Sequence, residues 1–303
     1  MKSRQERLAE LQRRIRERGL AGAMLHLSRD IFYYTGTAQP GWLAVLPDDA
    51  CLFVRGGMEF AKRQSGLNAE RIIREGNLAK IITRIFGANM SGLAIGAELD
   101  VMPVPQYEKL QNAIGGAELV DISPDILGQR MIKDGEEIAG IERAAAALDA
   151  GHDAALRNWR PGLSELEASA VLEDGQRRAG HEGVFFIRQP DFSMGRGPLA
   201  SGDNIDRISG VIFAVSGVGL SAAVPAGAAR RVIEAGDLVV ADIPVCVDGY
   251  HGDQTRTYCL GQPSERLLEV YERLHRTADN LERFRIILEH SHPRRRSSSI
   301  PLV

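Results

Sequence analysis

Two strand-like runs, Leu238–Val245 and Tyr250–Cys259, flank Asp248-Gly249, a dipeptide that signals a tight hairpin turn. If those two residues form the whole loop, Val247 pairs with Tyr250 and Asp242 pairs with Thr255. Side chains two residues apart on a strand share a face, so Asp253 joins Asp242 on one side of the hairpin. The two aspartates become diagonal neighbours, roughly 7–8 Å apart at the backbone. From there both carboxylates reach a common hard cation. A slip of one residue in the pairing would separate them. Two like charges on one face of a buried sheet repel and lose hydration, so a metal, a shared proton or an arginine must offset them. Arg256 points to the opposite face in this register. Two other readings of the same spacing stay open: Asp253 as a hydrogen-bonded strand-end residue, and Asp242 as a turn cap. His251 lies between the aspartates in sequence and shares their face, which makes it a candidate substrate-contacting or catalytic group.

At 303 residues the chain has room for two domains. Leu8, Leu11 and Ile15 recur at helical spacing and Gly19 stops the helix. Ala21–Leu27, Trp42–Leu46, Cys51–Val54, Leu93–Ile95 and Leu119–Ile122 read as strands. Met58–Gln64, Leu78–Phe86 and Pro105–Ala113 read as helices. This alternation predicts an α/β domain over residues 1–128. Gln129–Gly135 reads as a connector into a long helix, Glu136–Trp159, broken by Pro161-Gly162. Ser164 and Glu167 form a capping-box pattern for a helix that reaches Ala179. Val184–Ile187, Val211–Val215, Leu238–Val245 and Tyr250–Cys259 then read as strands, and Glu265–Leu288 as a last helix. Residues 129–289 are therefore expected to form an α+β domain. Residues 290–303, with three consecutive arginines and three consecutive serines, read as a disordered tail.

The net charge of −3 and a pI near 6.2 give no general attraction to nucleic acid. No apolar run is long enough to span a membrane, and the charged N-terminus lacks the core of a signal peptide, so a cytoplasmic protein is expected. Cys51, Cys246 and Cys259 are scattered, which argues for small buried strand residues rather than disulfides or a thiolate metal site. Gly195-Arg196-Gly197-Pro198 and Ser216-Gly217-Val218-Gly219 read as turns, and Trp42, Tyr33 and Tyr34 as core or interface residues.

The segment Gly236-Asp237-Leu238-Val239-Val240-Ala241-Asp242, followed by Asp253-Gln254-Thr255-Arg256-Thr257, resembles the M24-type metallopeptidases: Xaa-Pro aminopeptidase, prolidase, methionine aminopeptidase and the related creatinase. Arg130-Met131-Ile132-Lys133 with Glu136-Glu137-Ile138, and Trp159-Arg160-Pro161-Gly162, are similar to the lead-in and first helix turn of that catalytic domain. Tyr33-Tyr34-Thr35-Gly36 resembles an element of the creatinase-type N-terminal domain. The resemblance implies a ribonuclease-H-like α/β N-domain followed by a pita-bread α+β domain. It implies Asp242 and Asp253 as metal ligands, a divalent Mn, Co or Zn cofactor, and peptides with proline in the second position as substrates. It also implies a homodimer.

In active relatives a histidine in a Gly-His-Gly-like turn and two glutamates complete the ligand set. No Gly-His-Gly occurs in this sequence, and Ser221–Gly227 lacks the histidine that many relatives carry before the first aspartate. His275, His290 and His292 read as surface or tail residues. The expectation is a truncated, incomplete pita-bread domain whose peptidase activity is lost or severely impaired. The competing expectations are a peptide- or protein-binding module and a creatinase-like C–N hydrolase.

Overall fold

The structure, a computed structural model, describes residues 4–188, 197–207 and 217–277. The sequence expectations for Val211–Val215 and for residues 290–303 fall outside them. In chain order the elements are α1 (Arg4–Glu17), β1 (Gly22–Leu25), α2 (Ser28–Thr35), β2 (Gly41–Val45), β3 (Ala50–Val54), α3 (Met58–Gln64), β4 (Ile72–Arg74), α4 (Leu78–Phe86), β5 (Ala94–Ala97), α5 (Val104–Ile114) and β6 (Glu118–Asp121). There follow α6 (Ser123–Met131), α7 (Gly135–Asn158), α8 (Glu165–Arg178), β7 (Leu199–Ser201), β8 (Leu238–Val247) and β9 (Tyr250–Cys259). Residues 265–277 are helical. The chain divides into two compact units, one mainly Met1–Arg143 and the other mainly Ala144–Phe185, Gly195–Val247 and His251 onward.

The first unit is built on a six-stranded sheet in the order β4-β3-β2-β1-β5-β6. Only β2 runs against its neighbours; β1, β3, β4, β5 and β6 are mutually parallel. Alternate side chains sort to opposite faces. Ala23, Leu25, Leu43, Val45, Leu52 and Val54 meet Leu11 and Ile15 of α1 and Ile31 and Tyr34 of α2. Met24, Ala44, Cys51 and Phe53 meet Ile81 and Ile82 of α4 and Leu110 and Ile114 of α5 on the other face. The sheet is thus covered on both sides, as the parallel arrangement requires.

Several buried charges in this unit are paired with arginine, while the fully buried Glu98 accepts from the backbone N–H groups of His26 and Leu27. Arg7 reaches Asp134 at 2.7 Å with both side chains nearly inaccessible. Asp30 is fully buried and takes Arg130 at 2.6 Å and Arg188 at 2.5 Å. Arg188 also holds Asp100 at 2.6 Å. These pairs explain three departures from the sequence reading. Helix α2 carries a polar face that is buried and ion-paired, so its apolar period is incomplete. Helix α6 begins before the expected connector, its Gln129 buried and donating to the Arg7 carbonyl at 2.7 Å. The stretch Val184–Ile187 forms no strand; Phe186 lies over Arg29 and Arg188 is ion-paired.

In the second unit, helices and strands share a core of Ala144, Ala147, Leu148, Leu172, Val239, Ala241, Ile243, Val245 and Tyr258. The sheet order is β7-β8-β9. The capping box forms as expected: Ser164 accepts from the Glu167 backbone, and Glu167 accepts from the Ser164 backbone at 2.8 Å. One position later, Glu165 is fully buried. Its carboxyl oxygens accept from Ser201 N and Oγ, both at 2.7 Å, and from Asn204 Nδ2 and Ala229 N, both at 2.8 Å. One side chain therefore ties the start of α8 to the end of β7 and to the segment leading into β8. Replacing it with alanine strands buried donors, each worth ~1–3 kcal/mol when unpaired. Glu165→Ala is expected to lower unfolding free energy by roughly 3 kcal/mol or more, measured by urea denaturation.

Candidate functional site

The hairpin forms in the expected register. Asp248 and Gly249 both adopt positive φ, 52° and 78°, the type I′ geometry that matches the twist of the flanking strands. Thr255 Oγ1 donates to Asp242 Oδ1 at 2.5 Å, as the cross-strand pairing of those residues requires. At the far end Leu260 N donates to the Asp237 carbonyl at 3.0 Å, in step with the same pairing. Asp242 and Asp253 therefore lie on one face.

That face is the one turned away from the core. Val239, Ala241, Ile243 and Val245 point inward, while Asp242 is half-buried and Asp253, Thr255 and Thr257 are exposed. The charge cost expected for a buried sheet is correspondingly reduced, because water reaches the carboxylates. It is not removed. Asp253 is held above the ordinary carboxylate range, first by partial loss of hydration and then by the charge of Asp242, against a backbone hydrogen bond from Gln254. The pair behaves as two like charges in want of a cation.

On the other side of β8, Leu199 pairs with Ala241, and Asp242 N donates to the Pro198 carbonyl at 2.9 Å. Gly197 passes so close that a Cβ there would overlap the Asp242 carbonyl oxygen. The sequence marked Gly197-Pro198 as a turn; its role as a backbone clamp on Asp242 depends on a pairing between segments more than 40 residues apart. A small cavity of about 20 Å3 beside Asp242 is also lined by Ser169, Glu173, Gln176 and Pro244.

His251 is half-buried, its ring 4.5 Å from that of Phe185 and tilted by 35°. His275 is exposed on the last described helix and stacks on Tyr271 at 6.1 Å. Ser221 and Val224 close a tight turn whose residues are exposed. Among the described residues no group of three or more His, Cys, Asp or Glu is placed to hold a metal ion. The donor set is thus two carboxylates, one of them oriented by a threonine hydroxyl. Cys51 and Cys246 are buried and Cys259 half-buried, and none of the three is joined in a disulfide.

Residues 7–132 match the creatinase/prolidase N-terminal domain, and residues 139–283 match metallopeptidase family M24. The chain belongs to metallopeptidase family M24. It is 28% identical over 267 residues to the uncharacterized peptidase YqhT of Bacillus subtilis, covering 88% of this chain and 68% of that one. It is 28% identical over 271 residues to the Xaa-Pro dipeptidase of Pyrococcus furiosus, again covering 88% of this chain and 68% of the relative. The solved Xaa-Pro dipeptidase from Bacillus anthracis is similar in structure, with a TM-score of 0.71 at 25% identity over 89% of this chain and 69% of that one. The fold is accordingly the creatinase-type N-domain followed by part of the pita-bread domain. Among the described residues of this M24 chain, no helix is long and apolar enough to cross a membrane.

Two outcomes follow from the site geometry. Gly197→Ala displaces the backbone at Asp242, and the melting temperature is expected to fall by several degrees in calorimetry. For Asp253 the folded-state pKa lies above the unfolded one, so ionisation penalises the fold as pH rises past the ordinary aspartate range. In metal-free buffer Asp253→Asn is expected to melt above the unsubstituted chain at pH 7. The gap closes as pH falls toward ~3.9, the ordinary aspartate pKa, and is absent below it.

Proposed function

We propose that this M24 chain is a metal-dependent peptidase of the prolidase type, with Xaa-Pro peptides as its substrate class and a severely reduced turnover. The observation that carries the reading is the shared face of Asp242 and Asp253, with the like-charge repulsion felt at Asp253. Two carboxylate oxygens suit a hard divalent cation of the Mn, Co or Zn kind, and water fills the rest of its shell. Asp242 and Asp253 would hold the ion, and the Thr255 hydroxyl fixes one oxygen of Asp242. When bound, such an ion polarises a carbonyl and acidifies water. With no third ligand among the described residues, binding is weak and the ion is poorly fixed for chemistry. His251, on the same strand face beside Phe185, is the group assigned to contact substrate.

The same missing ligands favour one second reading, a peptide- or protein-binding module that keeps the fold and has lost the reaction. The two are separated by titrating Mn2+ into the chain with electron paramagnetic resonance detection of free ion, followed by assays on Xaa-Pro dipeptides. The expected result is weak Mn2+ binding that Asp242→Asn and Asp253→Asn each weaken at least ~10-fold, about 1.4 kcal/mol, with slow metal-dependent cleavage lost in both variants. Mn2+ binding unchanged by either substitution would overturn the metal site. Binding at that site with no cleavage at high protein concentration would leave the binding module as the function.

A further inference from the structure

The first unit holds a cleft that the metal pair does not use. Two adjoining cavities of about 800 and 460 Å3 share Trp42, Arg55, Gly76 and Gln106 as walls. They lie at the carboxyl ends of parallel strands: His26 follows β1, Arg55 follows β3, and Glu75 and Gly76 follow β4. Open α/β sheets present their ligand crevices at that edge, because loops there are free to diverge and helices begin there. Helices α4 and α5 both start at this cleft, with Leu78, Ala79, Pro105 and Gln106 in its lining.

The lining is chemically uneven. The Trp42 ring, half-buried and 5.5 Å from that of His26, offers a flat apolar wall, with Leu78, Pro103 and Pro105 around it. Arg55 and Lys109 are exposed, and neither has a carboxylate partner among the described residues; Arg55 has only a long 3.5 Å contact to the Gly76 carbonyl. The one carboxylate in the lining, Glu75, is turned in on the backbone N–H groups of Gly76 and Asn77 at 2.8 and 2.7 Å. The cleft therefore joins an aromatic surface to positive charge that the protein leaves uncompensated. Elsewhere in the same unit, the buried Arg7 and the half-buried Arg188 are paired at 2.7 and 2.5 Å.

We propose that this cleft binds a small organic anion that carries a flat ring, its charge on Arg55 and Lys109 and its ring on Trp42. Nucleoside monophosphates and aryl carboxylates both meet that description. Stacking on the indole and charge-assisted hydrogen bonds from the cations act together on one ligand, so neither half alone is sufficient. The inference stands apart from the peptidase reading and does not need it.

Isothermal titration calorimetry of the full chain at low salt, with adenosine monophosphate, 4-hydroxybenzoate and inorganic phosphate as separate probes, tests it. At least one ring-bearing anion is expected to bind with a Kd below ~1 mM, with inorganic phosphate at least ~10-fold weaker. Which of the two binds tells the phosphate source from the carboxylate source. Arg55→Ala and Lys109→Ala, both exposed positions, are expected to weaken binding several-fold each while leaving the melting temperature unchanged. The Trp42 indole resonance, assigned with Trp42→Phe, is expected to shift on binding. Failure of both ring-bearing anions to bind, equal binding of inorganic phosphate, or full binding by the Arg55→Ala and Lys109→Ala variants would overturn the proposal.

Discussion

The register of one hairpin governs what the second unit can do. With Asp248 and Gly249 as a two-residue loop, every residue of β9 is assigned a partner on β8 and a face of the sheet. A loop one residue longer would send Asp253 and Thr255 to the core side and bring Gln254 and Arg256 to Asp242. The turn holds because two consecutive residues accept left-handed backbone geometry, which glycine does freely and aspartate tolerates better than most. The core side reinforces it, since Tyr258 belongs among the apolar residues beneath the sheet and Gly252 fits closely over Leu148 and Val245.

Two pairs of carboxylates in this chain stand in physical contrast. Glu165 and Asp30 are fully buried and meet their donors or cations inside the protein, Glu165 through two backbone and two side-chain donors and Asp30 through two arginines. Their work is to join segments distant in sequence. Asp242 and Asp253 are the opposite case. They share a face, one bears the other's charge, and the hydrogen bonds they receive do not cancel it. Where Glu165 and Asp30 meet partners inside the protein, Asp242 and Asp253 leave like charges side by side on an open face, the arrangement expected of a ligand site rather than a structural one.

Much of this was legible in the sequence. Helices α3 and α4 and strand β9 have the bounds that periodicity and turn residues assign, and the capping box at Ser164 and Glu167 forms. These elements carry their own instructions: a cap, a glycine stop, an apolar period. Helix α2, strand β4 and strand β7 were not legible. Strands β4 and β7 have only three residues each, too short for a period, and exist because a neighbouring strand supplies the partner. Helix α2 buries Asp30 beside Ile31, which breaks the apolar stripe that would mark it. The opposite error, a strand read at Val184–Ile187, comes from an apolar run whose side chains are used instead by rings and ion pairs.

By itself the sequence determined the turn at Asp248-Gly249, the face shared by Asp242 and Asp253, and the residue pattern that carries the family resemblance. Those are local properties, set by backbone preference and by the two-residue period of a strand. Only the tertiary structure decided that the shared face is open to water rather than buried, that Gly197 and Pro198 brace Asp242, and that Glu165 holds three segments together. It alone also brought Trp42, Arg55 and Lys109 to one cleft. Each of these depends on which distant segment lies against which. That is settled by the competition of all apolar and polar surfaces for partners at once, and no local spacing encodes it.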